Sequence, residues 1–207
     1  MRVKLIVVAK APRPGRCKTR LSPPLTLEDA ARVARAALSD TLEVALACPA
    51  QEHVLALEGP RDAWIPTRFR TIPQRGAGLD ERLAAAFEDA GAPALLIGMD
   101  TPQVIPKLLA AALGVLEAAD TDAVIGPALD GGYWAIGLRR ASAELFHGVP
   151  MSRSDTFELQ RARLRSAELT VRLLAPLRDV DRIEDARAVA RLAPRSRFAS
   201  ELAAVAA

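Results

Sequence analysis

The sequence predicts one α/β domain, built as a mostly parallel β-sheet with helices on both faces. Short, continuous apolar runs alternate with longer segments of helical periodicity, the pattern of a sheet buried on both sides. The composition agrees: 50% of the 207 residues are hydrophobic and 26% are charged, enough for a substantial core. Aromatic residues make up only 4%, so the core is expected to be Ala, Val and Leu packed between layers. We expect the domain to span residues 1–207, with a core to about residue 192 and a helical tail over 193–207.

The chain opens with a β-branched run at residues 3–9, read as a strand covered on both faces. Residues 10–24 form a loop with four prolines and one glycine. Thr26 then starts a long helix, with Asp29 three residues on as a capping box. Leu27, Ala31, Ala34, Leu38, Leu42 and Ala45 recur at helical spacing, and Cys48-Pro49 ends the helix. A second strand at residues 54–57 leads through a Pro- and Arg-rich loop to Gln74-Arg75-Gly76-Ala77-Gly78 and a helix over 79–90. The strand at 94–97 ends at Gly98-Met99-Asp100-Thr101-Pro102, and the helix after it reaches about residue 119. Residues 123–125 and 133–138 are the fourth and fifth strands, joined through Gly126-Pro127-Ala128-Leu129-Asp130-Gly131-Gly132. Helices at 155–167 and 182–192 flank a short strand at 171–174. In such sheets ligands bind beyond the carboxyl ends of the strands. The loops at Lys10, Gly98, Gly126 and Asp179 are therefore the places to look for chemistry.

Several function classes are set aside at this point. The formal charge is +3 and the pI near 9.2, but 28 Lys and Arg are nearly matched by 25 Asp and Glu. No nucleic-acid partner is expected. Two cysteines, Cys17 and Cys48, cannot staple a domain of this size, which points to a reduced, cytoplasmic location. Arg16 and Lys18 would favour a thiolate at Cys17, against the plainer reading of a free thiol without function. No apolar stretch approaches the roughly 20 residues of a membrane helix, and no membrane partner is expected. The first nine residues resemble a signal peptide only superficially, because the apolar core is short and a basic loop follows. Self-association is left open.

Four constellations carry the chemistry. Lys10-Ala11-Pro12-Arg13-Pro14-Gly15-Arg16-Cys17-Lys18-Thr19-Arg20 holds five cations and no acid. Backbone N–H groups and Gly15 permit close approach of an anion, and Lys18 and Arg20 can neutralise phosphate. A P-loop needs a second glycine that is missing here, and the plain alternative is a solvated basic turn. Asp100, just past a buried strand, can hold a metal, accept a substrate hydroxyl or cap a helix. Asp179-Val180-Asp181 places two carboxylates on one side of an extended chain, while Glu184 and Asp185 fall in the first turn of the next helix. The two histidines, His53 and His147, stand apart from other ligands, so any catalytic metal is a hard, oxygen-bound ion, Mg²⁺ or Mn²⁺. Asp130-Gly131-Gly132-Tyr133-Trp134 offers close backbone approach and an aromatic wall for an acceptor, or a turn before an edge strand.

These segments, in this order, resemble the nucleotide-diphospho-sugar transferase superfamily, with its GT-A, Rossmann-like fold. The pattern is most similar to bacterial arsenosugar-biosynthesis-type glycosyltransferases. It is carried by residues 10–21, by Gln74-Arg-Gly-Ala-Gly-Leu-Asp-Glu-Arg-Leu83, by Gly98-Met-Asp-Thr-Pro102, by residues 126–138 and by Arg178-Asp-Val-Asp-Arg-Ile-Glu-Asp185. The resemblance implies Asp100 and Asp181 as metal ligands, with Lys18 and Asp100 catalytic. It implies a nucleotide contact by Ala9, Lys10, Pro14, Gly15, Lys18, Thr19, Arg20 and Arg75, and an acceptor contact by Asp130, Gly131, Gly132 and Tyr133. The chain departs from the pattern at Asp80, at Arg182-Ile183, and at Met151, where the family commonly has Trp.

A metal-dependent glycosyltransferase using a nucleotide-sugar and a small-molecule acceptor is the first expectation. The alternative is a nucleotidyltransferase joining an NTP to a phosphorylated acceptor, because the basic loop is similar to those of molybdenum-cofactor and phospholactate guanylyltransferases. A non-catalytic nucleotide-binding module is the third reading.

Overall fold

The computed structural model describes residues 3–205; residues 1–2 and 206–207, at the ends of the expected domain, lie outside the described residues. Seven strands form one sheet, β1 (Lys4–Lys10), β2 (His53–Glu58), β3 (Arg70–Pro73), β4 (Ala94–Gly98), β5 (Ala123–Pro127), β6 (Tyr133–Leu138) and β7 (Val171–Leu173). Their order is β3-β2-β1-β4-β6-β5-β7. All pairings are parallel except those of β6, which runs antiparallel to both β4 and β5. The helices are α1 (Leu27–Leu46), α2 (Leu79–Ala90), α3 (Pro106–Glu117), α4 (Thr156–Ser166), α5 (Ile183–Leu192) and α6 (Arg197–Val205).

The two-sided burial follows from the side-chain alternation of the strands. In β1, Leu5, Val7 and Ala9 enter the core layer shared with α1 and α3, while Ile6 enters the opposite layer shared with α2. β4 repeats this with Leu95 and Ile97 on one face and Ala94 and Leu96 on the other. Such strands have no polar face, which is why they read as unbroken apolar runs.

α1 begins as its sequence dictates: the Thr26 hydroxyl accepts from the Asp29 N–H at 3.0 Å. Ala31, Ala34, Leu38, Leu42 and Ala45 of the expected stripe pack on the sheet, and each fully buried Leu contributes about 1.5–3 kcal/mol. Leu27 is the exception, 42% exposed at the first turn. A second stripe of small residues, Ala30, Val33 and Ala37, faces α5 and α6 with Phe198 and Leu202 buried between them. The residues expected as a helical tail thus complete the core through α6. Asp40, buried on α1, accepts from the Phe198 N–H at 2.8 Å and the Arg197 N–H at 3.2 Å, capping α6 from another helix.

One element differs from the sequence reading, and a second, found at its expected residues, takes a position that the reading left open. β3 falls in the stretch expected to be a loop; its four residues include Pro73, and an outermost strand tolerates a residue that cannot complete the ladder. β6 is no edge strand. A five-residue connection after β5 returns the chain antiparallel into the middle of the sheet. Its first residues therefore lie at the same sheet edge as the carboxyl ends of the parallel strands.

Candidate active site

That edge opens into a cleft of about 740 Å³, inside the usual range for small-ligand sites. Lys10 ends β1, and the loop after it supplies Arg16, Cys17, Lys18, Thr19 and Arg20; Asp100 follows β4; the β5–β6 turn brings Asp130 and Gly132, and Tyr133 opens β6; the segment before α5 adds Asp179 and Asp181. Ala9 forms part of the floor. The carboxyl ends of separate strands thus bring cations and acids from distant stretches of sequence together.

Lys18 is the link. Its Nζ lies 2.7 Å from Asp100 Oδ1 and also donates to the Val180 carbonyl, with the side chain only 11% exposed. Asp100 Oδ1 takes no other hydrogen bond. The Val180 N–H donates to the Asp100 carbonyl at 2.8 Å, which ties the Asp179–Asp181 segment to the Asp100 loop. Lys18 itself sits at φ 49°, ψ 33°, left-handed for a residue with a Cβ, at a cost of about 1–2 kcal/mol. Arg20, 64% exposed, pairs with Asp181 at 2.8 Å. Asp100 is not a helix cap, since that position before α3 belongs to Ile105, followed by Pro106 at the first turn.

Asp179 is the most perturbed acid in the cleft. Burial first, then the negative charges of Asp130 and Asp100, push its carboxyl up to about 6, against the partial pull of Lys18. Cys17 goes the other way from the thiolate reading. It is buried with Sγ 3.5 Å from the Arg13 carbonyl, and burial raises its pKa despite Lys18 and Lys10 nearby. It packs as a thiol.

Four of the five loop cations have carboxylate partners, where the sequence showed none. Lys10 lies 3.5 Å from Glu58, Arg13 pairs with Asp62 at 2.6 Å, and Lys18 and Arg20 hold Asp100 and Asp181. The partners are far along the chain, so no local reading of the loop could supply them.

Not every residue singled out reaches the cleft. Arg75 turns away, with its guanidinium 2.7 Å from Asp89 and 3.0 Å from Glu88 at the end of α2. Gln74 lines the cleft instead, its amide donating to the carbonyls of Ala9 and Ala56 at 2.8 and 3.1 Å, together with Arg82. Pro14 and Gly15 form the exposed outer turn of the basic loop, beyond the lining residues. Gly131 is structural: at φ 92° its Cβ would meet the Ser154 carbonyl oxygen at 2.0 Å. Gly132 donates to Asp130 Oδ1 at 2.8 Å, fixing that carboxylate. The Tyr133 hydroxyl points inward to Gln160 Oε1 at 3.3 Å, so the ring borders the cleft. Burial raises its pKa. Trp134 donates to the Ala175 carbonyl at 3.0 Å and is 3% exposed. His147 is exposed, as an ordinary surface histidine.

A further part of the lining was not anticipated. Ser152, Arg153, Ser154 and Thr156 contribute to it, beside Met151, which the sequence marked only as a departure from the family pattern, and with Leu79 and Leu83. The polar run Ser152-Arg153-Ser154-Asp155-Thr156 before a helix was the available signal, but it also fits any helix start.

Among the described residues no three His, Cys, Asp or Glu side chains converge as a metal cage. The donors present are carboxylates, and Asp100 Oδ1 lacks any partner but Lys18. This set fits a hard divalent ion that shares one or two carboxylates with substrate phosphates, and does not fit a cage made of protein alone. No helix among the described residues is long and apolar enough to cross a membrane.

No curated protein sequence matches the chain. Among solved structures, a Desulfovibrio desulfuricans G20 protein provisionally assigned as a nucleotide-diphospho-sugar transferase aligns with TM-score 0.86 and 29% identity, over 97% of this chain and 93% of its own. Rv0371c of Mycobacterium tuberculosis H37Rv, solved with manganese, aligns at TM-score 0.54 and 23% identity over 91% and 97%. CMP:2-keto-3-deoxy-manno-octonic acid synthetase with CTP aligns at 0.58 and 11% over 94% and 99%, and shares the fold. Residues 32–153, more than half of the chain, match the family described as an uncharacterized protein conserved in bacteria. The chain belongs to that family, DUF2064, and has the fold of the nucleotide-diphospho-sugar transferases.

Proposed function

We propose that this protein is a divalent-metal-dependent transferase that uses a nucleotide-activated donor, with a nucleotide-sugar as that donor and a small molecule as acceptor. The observation that carries the reading is the meeting of Lys18, Arg20, Asp100 and Asp181 in one cleft at the carboxyl ends of the strands. In this reading Lys18 and Arg20 bind the diphosphate, by charge and by Arg's two-pronged hydrogen bonding. Asp100 and Asp181 would hold Mg²⁺ or Mn²⁺, and the ion's chemistry is to neutralise charge on the leaving phosphate. Asp130, oriented by the Gly132 N–H, keeps its second oxygen for an acceptor hydroxyl, beside the Tyr133 ring. The likeness to the Desulfovibrio protein supports the donor class, and the manganese of the mycobacterial protein supports the metal.

Nucleotidyl transfer is the second reading, favoured by the density of cations in the loop. The ion pairs of Lys10 and Arg13 with Glu58 and Asp62 weaken that argument, since those cations already have partners. The test is product identity. With nucleotide-sugars, Mg²⁺ and an acceptor panel, release of nucleoside diphosphate supports glycosyl transfer. Pyrophosphate released from an NTP and a phosphate ester would replace it with nucleotidyl transfer. Nucleotide binding unaffected by divalent ions, with no product in either assay, would leave a binding module.

A further inference from the structure

Lys18 and Arg20 are asked to do two things that exclude one another. Lys18 holds Asp100 at 2.7 Å and Arg20 holds Asp181 at 2.8 Å. A divalent ion approaching those carboxylates meets two cations already seated on them, one with its side chain almost wholly buried. The same cations are the groups a diphosphate would engage. An ammonium or guanidinium drawn onto phosphate oxygens leaves its carboxylate bare.

Resting on the transferase reading, we propose that the nucleotide assembles the metal site: Lys18 and Arg20 are resident counter-ions of Asp100 and Asp181, and the divalent ion binds only after phosphate has drawn them off. With the nucleotide absent, the two carboxylates are charge-balanced by the two cations, and the ion gains little. With it present, Asp100 and Asp181 and the phosphates face one another without compensation, close to Asp130 and Asp179, and the ion is the missing charge. The donor set supports this division, because among the described residues no three carboxylate, His or Cys side chains converge to bind a metal unaided. Lys18 is suited to exchange partners. It is tethered by one carbonyl and one carboxylate on a backbone held in the left-handed region, on a loop stiffened by Pro12 and Pro14. By reciprocity the metal must tighten nucleotide binding by the same factor.

The test titrates Mn²⁺ into the metal-free full-length protein, reading free Mn²⁺ by its paramagnetic resonance signal, alone and with UDP or GDP, corrected for Mn²⁺ bound by nucleotide in solution. Wild type should bind Mn²⁺ about 5–150-fold more tightly with the nucleotide. Lys18→Gln should bind Mn²⁺ alone more tightly than wild type, by roughly fivefold or more, while losing most of the nucleotide-dependent gain. Arg20→Gln, at an exposed position, gives the same sign and serves should Lys18→Gln fail to fold. A cation that merely props up the loop would lower Mn²⁺ affinity when removed. Equal Mn²⁺ affinity with and without nucleotide, or variants binding Mn²⁺ alone no better than wild type, overturns the counter-ion role and leaves the metal-dependent transferase standing. No Mn²⁺ bound under any condition overturns both.

Discussion

Asp100 and Lys18 face each other across 2.7 Å, and each should fail in its own way when altered. Asp100→Asn keeps shape and removes charge, so metal-dependent turnover should disappear while the circular dichroism spectrum is retained. Wild-type rates would remove Asp100 from the chemistry. Lys18→Ala should weaken nucleotide binding by roughly 1.5–3 kcal/mol, the worth of a lost charged hydrogen bond, read as the dissociation constant by calorimetry. Asp179 makes a prediction about pH. Its folded carboxyl, at about 6, lies above the unfolded value of about 3.9, so between those values the folded protein binds the proton more tightly. Its contribution is therefore present at low pH and lost as pH rises from about 4 to about 6. In chelator, melting curves across that range should show Asp179→Asn gaining stability on wild type as pH rises, by on the order of 1–3 kcal/mol above pH 7. At this level the sequence was legible in residues that the fold gathers at the cleft, as in Lys10, Arg16, Lys18 and Arg20 and in Asp100. It was silent on partners: Arg75 is captured by acids 13 and 14 positions later, at the far end of α2, and no local pattern marks that choice.

Among the elements, two contacts hold neighbouring segments in place, one at the rim of the cleft and one at α6. The turn at Gly131 must take a positive φ while pressed against Ser154, so Gly131→Ala combines strain with a clash and should cost at least about 2 kcal/mol in urea unfolding. Asp40 caps α6 across the molecule, and Asp40→Ala should cost about 1–2 kcal/mol and expose α6 amides to hydrogen exchange. The strands buried on both faces could be read from the chain, because burial on two sides leaves unbroken runs of Leu, Val and Ile. The direction of β6 could not be assigned from its own residues, since an apolar run carries no arrow. The Asp130-Gly131-Gly132 turn was the clue to a hairpin, but it fits an edge as well as an interior position. β3 was hidden by Pro73 and exposed Arg70, which a marginal strand accepts and a central one does not. α6 lay in an Ala-rich segment whose partner stripe on α1, Ala30, Val33 and Ala37, is itself built of small residues.

For the molecule as a whole, a ligand that binds only the folded state raises stability by mass action. A nucleotide-sugar at a hundredfold excess over its dissociation constant, with Mn²⁺, should add about 2.7 kcal/mol and raise the melting temperature by roughly 5–10 °C. Mn²⁺ alone should add far less. Equal shifts from both would contradict the assembly of the metal site by the nucleotide. The overall architecture was the most legible property of all, because alternation of strand and helix is a chain-long pattern and depends on no single residue.

The reversed strand at the middle of the sheet has a mechanical consequence. β3, β2, β1 and β4 make one parallel leaf and β5 and β7 another, with β6 stitched between them as a seam. Lys18 and Asp100 hang from the first leaf, while Asp179 and Asp181 follow the second. Whatever bridges these groups clasps the two leaves together across the seam, and the stitching amides of β6, residues 133–138, should then open to solvent less often.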